Sequence, residues 1–106
     1  EKKDFEISKQ YYTIRDYKAA ISSLDNFISN FPGTPYRENA LYYKFISQYE
    51  IATNSVPSKR LERLEGAKDT YEAILRYYPE SLFMEDISEK LDEIQKQIKK
   101  IKENNT

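Results

Sequence analysis

AISSLDNFISNFP, residues 20–32, is echoed by AKDTYEAILRYYP, residues 67–79. In each stretch a methyl-sized Ala20 or Ala67 is followed by Leu24 or Tyr71, then by Phe27-Ile28 or Ile74-Leu75, and finally by an aromatic and a proline, Phe31-Pro32 or Tyr78-Pro79. Steps of three and four residues place these positions on one face of a helix. The alanine has a packing reason, because two helices that cross closely leave room for little more than a methyl. The aromatic fills the gap to the next helix pair, and the proline, which cannot continue a helix, ends it. Two copies of one helical pattern within 106 residues point to a fold built by repetition.

Working outward, Tyr17, Ile21 and Ile28 complete the stripe around Ala20, and Asp16 stands where a helix N-cap belongs, after a short turn at Arg15. Phe5, Ile7, Tyr11 and Ile14 predict a first helix that is under way by the first residues. Downstream, Gly33 suits a left-handed residue past a helix end, Thr34 suits a cap, and Pro35 suits a first helical turn. Tyr42, Phe45, Ile46, Tyr49 and Ala52 predict a third helix that fades through residues 53–56. Pro57-Ser58 restarts the chain, and Leu61, Leu64, Ala67, Tyr71, Ile74, Leu75 and Tyr78 line a fourth helix. Ser81 is placed to cap a fifth, whose stripe is Met84, Ile87, Leu91, Ile94, Ile98 and Ile101, and residues 103–106 are expected to fray. Five helices with short connections predict antiparallel neighbours.

Each echoed helix has its own first helix, since Ile7, Ser8 and Tyr11 compare with Phe45, Ile46 and Tyr49. This two-helix unit resembles the tetratricopeptide repeat, with apolar, small and tyrosine positions in the first helix and alanine, large apolar and proline positions in the second. The resemblance implies an all-α fold of antiparallel helix pairs in a right-handed superhelix. A first pair would cover residues 1–34, a second, extended pair residues 35–79, and a C-terminal capping helix with a frayed tail residues 80–106. Two features depart from the family pattern. Ile46 replaces a small residue, and the stretch from Tyr49 to Ala67 is longer than that from Tyr11 to Ala20, which should extend both helices of the second pair past the usual turn near Asn54 to Ser58.

Composition removes whole classes of function. With 17 basic and 18 acidic residues the formal charge is -1, so there is no basic excess to neutralise a run of phosphates, and nucleic acid is not an expected partner. The chain has neither cysteine nor histidine, which excludes disulfides, thiolate or imidazole zinc sites and the usual nucleophile–base pairs within it. Adjacent carboxylates such as Glu85-Asp86 and Asp92-Glu93 diverge on a helix, and 2 glycines cannot build a phosphate loop. The expectation is a chain that is not an enzyme and holds no cofactor and no metal. No apolar run approaches the roughly 20 residues of a membrane-spanning helix.

The connector is more specific than the repeat. FPGTPYRENALY, residues 31–42, is similar to the aromatic–Pro, Ser/Thr, Tyr, Ala-Leu connector of bacterial envelope tetratricopeptide proteins, among them the BamD lipoproteins and Tol-Pal-associated periplasmic proteins. Tyr78-Pro79-Glu80-Ser81 begins a second copy that loses the Tyr and the Ala. The insertion with Asn54-Ser55-Val56, Lys59-Arg60 and Glu62-Arg63, together with the Lys, Asn, Ile and Tyr bias, resembles Bacteroidetes-type BamD proteins over nearly the whole chain. That resemblance implies a protein-binding scaffold of the outer-membrane β-barrel assembly machine at the periplasmic face of the outer membrane. It would dock to the POTRA domains of BamA, to other subunits of the machine and to unfolded outer-membrane protein segments. The stretch would be the C-terminal part of a longer lipoprotein, touching the membrane only through a lipid anchor outside it. The chain opens Glu1-Lys2-Lys3-Asp4, so any targeting signal is expected upstream.

In tetratricopeptide arrays the first helices line the concave surface, which implies a docking face of Phe5, Lys9, Tyr12 and Thr13 from the first pair and Tyr43, Ser47 and Glu50 from the second. Tyr12 and Tyr43 are the strongest candidates, because an amphipathic ring adds contact area at low entropic cost. The extended segment from Asn54 to Arg63 offers Lys59, Arg60 and Arg63 to an acidic partner surface, unless local pairing with Glu62 and Glu65 occupies them. The fifth helix reads as a cap, with partner docking as its alternative.

The alanine carries a first prediction. Ala20→Phe should overpack the first helix pair and cost roughly 1–3 kcal/mol in urea unfolding, whereas an alanine facing water would tolerate it.

Overall fold

A computed structural model describes residues 1–104, and among these the regular structure is helical throughout: α1 (Lys2–Thr13), α2 (Tyr17–Asn30), α3 (Arg37–Thr53), α4 (Pro57–Tyr77) and α5 (Met84–Asn104). Each helix packs on the next in the chain. In addition α1 touches α3 and α3 touches α5, while α2 and α4 do not meet. The array therefore bends toward the first helix of each pair, the tetratricopeptide type of packing. Its extents of 47 × 28 × 20 Å are those of a short solenoid.

The alanines behave as the pattern requires: Ala20 and Ala67 have no exposed surface. Around Ala20, Phe5, Leu24, Phe27 and Ala40 form one cluster, and a larger one gathers Phe45, Ile46, Leu64, Ala67, Ile74, Ile87 and Ile94 from α3, α4 and α5. Tyr12 and Ile28 pack against both. Ile46 is buried in the larger cluster despite its size. Ile87 and Ile94 are the fully buried teeth of the α5 stripe. The insertion lengthens α3 and α4 to 17 and 21 residues, against 12 and 14 in α1 and α2.

Local signals explain most boundaries. The Asp16 carboxylate accepts from the Ala19 N–H at 3.3 Å and caps α2. Pro57 opens α4, where its missing N–H is harmless. The two aromatic–Pro connectors are the same object, 47 residues apart in sequence. Phe31 and Tyr78 end α2 and α4 with φ, ψ of -131°, 65° and -138°, 62°. Thr34 N–H donates to the Phe31 carbonyl, and Ser81 N–H to that of Tyr78, both at 3.0 Å. The Thr34 hydroxyl accepts from Tyr36 N–H at 3.2 Å, and that of Ser81 from Phe83 N–H at 3.1 Å. The second copy thus continues past Ser81, with Phe83 in the place of Tyr36 and Ile87 in that of Ala40.

Several expectations change. Ile7, Tyr11 and Ile14 are exposed, and α1 faces the core with Phe5, Ser8 and Tyr12 instead. Phe5 stacks on Tyr36 as Tyr42 stacks on Phe83, so α1 and α3 correspond one residue away from the match of Ile7 with Phe45. The buried Ser8 hydroxyl is satisfied by Ser23, at 2.6 Å. Leu75 is exposed at the end of α4. Gly33 does not take a positive φ, and Thr34, with Pro35 beside it, caps a turn ahead of α3 rather than the helix itself. Glu103 and Asn104 remain helical, while Asn105 and Thr106 of the expected frayed tail lie outside the described residues.

The left-handed residue sits elsewhere. Arg15 has φ of 64°, its N–H reaches the Tyr12 carbonyl at 3.0 Å, and Asp16 N–H reaches that of Tyr11 at 2.9 Å. This pair of bonds closes α1 in a Schellman motif, which ordinarily uses glycine because a Cβ is strained there. Arg15→Gly is expected to leave the fold intact and to stabilise it by up to about 1 kcal/mol in chemical unfolding.

Candidate protein-docking face

The bend brings α1, α3 and α5 side by side, and aromatic rings cross all three. Tyr12 of α1 lies 4.7 Å from Tyr43 of α3, ring centre to ring centre, and Tyr43 lies 5.5 Å from Tyr42. Tyr42 stacks on Phe83, just ahead of α5, at 4.2 Å and 9°. Successive residues Tyr42 and Tyr43 can serve opposite neighbours because i and i+1 diverge by about 100° on a helix. All four rings are half-buried, each with an edge toward solvent.

Charges flank the rings. Lys9 places its ammonium 5.6 Å from the centre of Tyr43, and Lys90 lies 5.8 Å from that of Tyr49, both within cation–π range. The Tyr42 hydroxyl donates to Asp86 Oδ2 at 2.6 Å, and Lys90 Nζ donates to Asp86 Oδ1 at 2.7 Å. Burial, and then the bond to Asp86, hold the Tyr42 phenol well above its usual range. Burial alone would raise the Asp86 carboxyl, but the bonds from Lys90 and Tyr42 outweigh it, so the net displacement is downward. Burial also raises the phenols of Tyr12 and Tyr49. Tyr12, Thr13, Arg15, Tyr17 and Glu50 line a shallow hollow at one end of the row.

The expected docking residues divide. Lys9 is exposed, and Tyr12, Tyr43 and Glu50 are partly so, on the surface formed by α1 and α3. Thr13 is exposed, with its hydroxyl returned to the Lys9 carbonyl. Phe5 and Ser47 are corrections. Phe5 is buried against Phe27, Tyr36 and Tyr43, because the one-residue shift in register turns it into the helix pair. Ser47 has no exposed surface and donates to the Tyr43 carbonyl at 2.8 Å, as a small polar residue does when a helix face is covered.

Lys59, Arg60 and Arg63 do not sit on a projecting loop, since they occupy the first turns of α4. Both arginines hydrogen-bond to Ser55 rather than to Glu62 or Glu65. Arg60 Nη2 donates to the Ser55 carbonyl at 2.8 Å and Arg63 Nη1 to the Ser55 hydroxyl at 2.6 Å. Cations there also complement the negative end of α3. Lys59 alone of the three is exposed. Sequence reasoning read Tyr42 only as part of the α3 stripe and did not bring Asp86 and Lys90 to this face, although their i, i+4 spacing was a signal.

A family model described as outer membrane lipoprotein, YfiO, matches residues 1–102. The chain belongs to the YfiO family of outer membrane lipoproteins. The family is defined by an envelope lipoprotein and not by a reaction. No curated protein matches the chain. None of the described helices is long and apolar enough to cross a membrane.

The Tyr42–Asp86 bond has a pH signature at both ends. Asp86 is lowered in the fold, so its contribution is present above the ordinary carboxylate range of about 3.9 and is lost as pH falls through its lowered value. Tyr42 is raised, so its contribution is complete below about 10 and is lost as pH climbs through its raised value. Absorbance titration of the phenols should show a late component that Tyr42→Phe removes. Because Asp86 is 37% exposed, the same variant should cost only about 1 kcal/mol at neutral pH.

Proposed function

We propose that the chain is a protein-docking scaffold of the outer-membrane β-barrel assembly machine, a BamD-type subunit working at the periplasmic face of the outer membrane. Its concave face receives a POTRA domain of BamA. The observation that carries the reading is the row Tyr12–Tyr43–Tyr42–Phe83 across successive pairs, with Lys9 exposed over one of its rings. Rings held by one another present apolar area and hydroxyls with little left to order on binding. Glu50 at the hollow beside Tyr12 adds a charge of opposite sign to Lys9, which favours one orientation of a partner over its reverse. Membership of an outer membrane lipoprotein family supports the location. Other subunits of the machine and unfolded outer-membrane protein segments are further partners that such a face suits.

The test is capture of a BamA POTRA fragment from the same organism. Lys9→Glu changes only an exposed side chain and should weaken capture several-fold and alter its salt dependence, while Tyr43→Ala should weaken it about tenfold or more. Retained helical circular dichroism and melting would show that the variants are folded. Undiminished capture by both would remove the concave face as the docking surface, and failure of the unaltered chain would remove the partner.

A further inference from the structure

α4 and α5 run antiparallel, so the first turns of α4 meet the last turns of α5, and between them lies a groove of about 630 Å³. Leu61 and Ile101 supply its apolar lining, and Ser58, Arg60, Gln97 and Lys100 its polar one. None of the described residues lining it is a carboxylate. On another side of α5, Lys68, Lys99 and Lys102 border a second hollow with Ile98. Charge is segregated on a larger scale. Residues 57–68 and 95–104 together carry eight lysines and arginines against three carboxylates, while the rest of the chain carries nine against fifteen.

The helix dipole accounts for part of this, since lysines favour the end of α5. At the start of α4 the dipole of that helix disfavours cations, and although Arg60 also answers the negative end of α3, the exposed Lys59 is not accounted for in this way. That helix begins at Val56 without a side-chain cap, so no carboxylate or hydroxyl answers its positive end. The Ser55 carbonyl holds one arm of the Arg60 guanidinium, and its Nε is buried without a hydrogen-bond partner. Positive charge is thus gathered beside an apolar slot whose described lining contains no carboxylate.

We propose that the α4–α5 groove docks an acidic, amphipathic segment of a partner protein. An apolar side chain of that segment rests on Leu61 and Ile101, and its carboxylates meet Arg60, Lys100 and the uncapped start of α4. A groove of this volume between two helices has room for several side chains of a peptide, and fits one better than a lipid surface, which calls for a flat or convex cationic face. This surface is separate from the aromatic row, and the inference does not depend on the proposed partner of that row.

Fluorescence anisotropy on the full chain tests it, with a labelled helical peptide of glutamate and leucine, a second in which serine replaces leucine, and vesicles of phosphatidylglycerol and phosphatidylcholine. The leucine peptide should bind about tenfold more tightly than the serine peptide. Lys100→Glu should weaken it about tenfold, whereas Lys96→Glu, exposed on α5 but outside both grooves, should weaken it no more than about threefold. Lys9→Glu, on the aromatic face, should leave it unchanged. Equal affinity for the two peptides, equal loss in the Lys100 and Lys96 variants, or binding of vesicles without peptide would overturn the proposal.

Discussion

One small polar turn governs the spacing of the helix pairs. After each second helix, the hydroxyl of Thr34 or Ser81 takes the N–H two residues on, and this fixes an aromatic ring, Tyr36 or Phe83, at the mouth of the next helix. The ring is then a platform on which the preceding first helix lays an aromatic of its own, Phe5 or Tyr42. A stacked pair of rings tolerates little sliding, so the turn sets the separation and register of neighbouring pairs, while the alanines set the depth of the crossing within a pair. Ser81 also donates to Glu38 at 2.6 Å, which ties the second turn back to the start of α3.

That arrangement has consequences for the surface. Because the first helices approach one another, their inward residues cannot all be buried, and the tyrosines remain with one edge in the interior and one in solvent. Tyr42 secures α5 through Asp86, Tyr43 bridges α1 and α3, and the same rings form the apolar part of the concave face. The side chains that pack the first helices together are thus the ones the proposed docking face would use. The α4–α5 side differs: its core contacts are isoleucines and leucines, and around the groove end lysines and arginines outnumber carboxylates eight to three, which gives that end an electrostatic attraction of longer range. Under the two proposals, surfaces of contrasting chemistry would let one chain hold two partners without competition between them.

Much of this was legible in the residues. The echo of Ala20 and Ala67, the aromatic–Pro stops, the cap at Asp16 and the stripe of α5 depend on local periodicity and on neighbours three or four positions away. The lengthening of α3 and α4 followed from counting residues between Tyr49 and Ala67. What could not be read was the rotation of α1. Ile7, Tyr11 and Ile14 form a respectable apolar stripe, yet the structure turns Phe5, Ser8 and Tyr12 inward, because the ring of Tyr36 selects Phe5 and the Ser8–Ser23 pair satisfies a polar contact no hydropathy pattern reveals. The same rotation buried Phe5. Arg60 and Arg63 were misplaced for a related reason: pairing with Glu62 and Glu65 is a local expectation, but the carbonyl and hydroxyl of Ser55 are reached only once α3 and α4 have turned back on each other.

By itself the sequence determined five helices, their order and their pairwise repetition, since these depend on interactions within a few residues of chain. The tertiary structure alone decided which face of each helix is buried, and hence which tyrosines and cations remain at the surface. Those choices depend on contacts such as Tyr42 with Asp86, 44 residues apart, whose geometry exists only when the pairs have stacked.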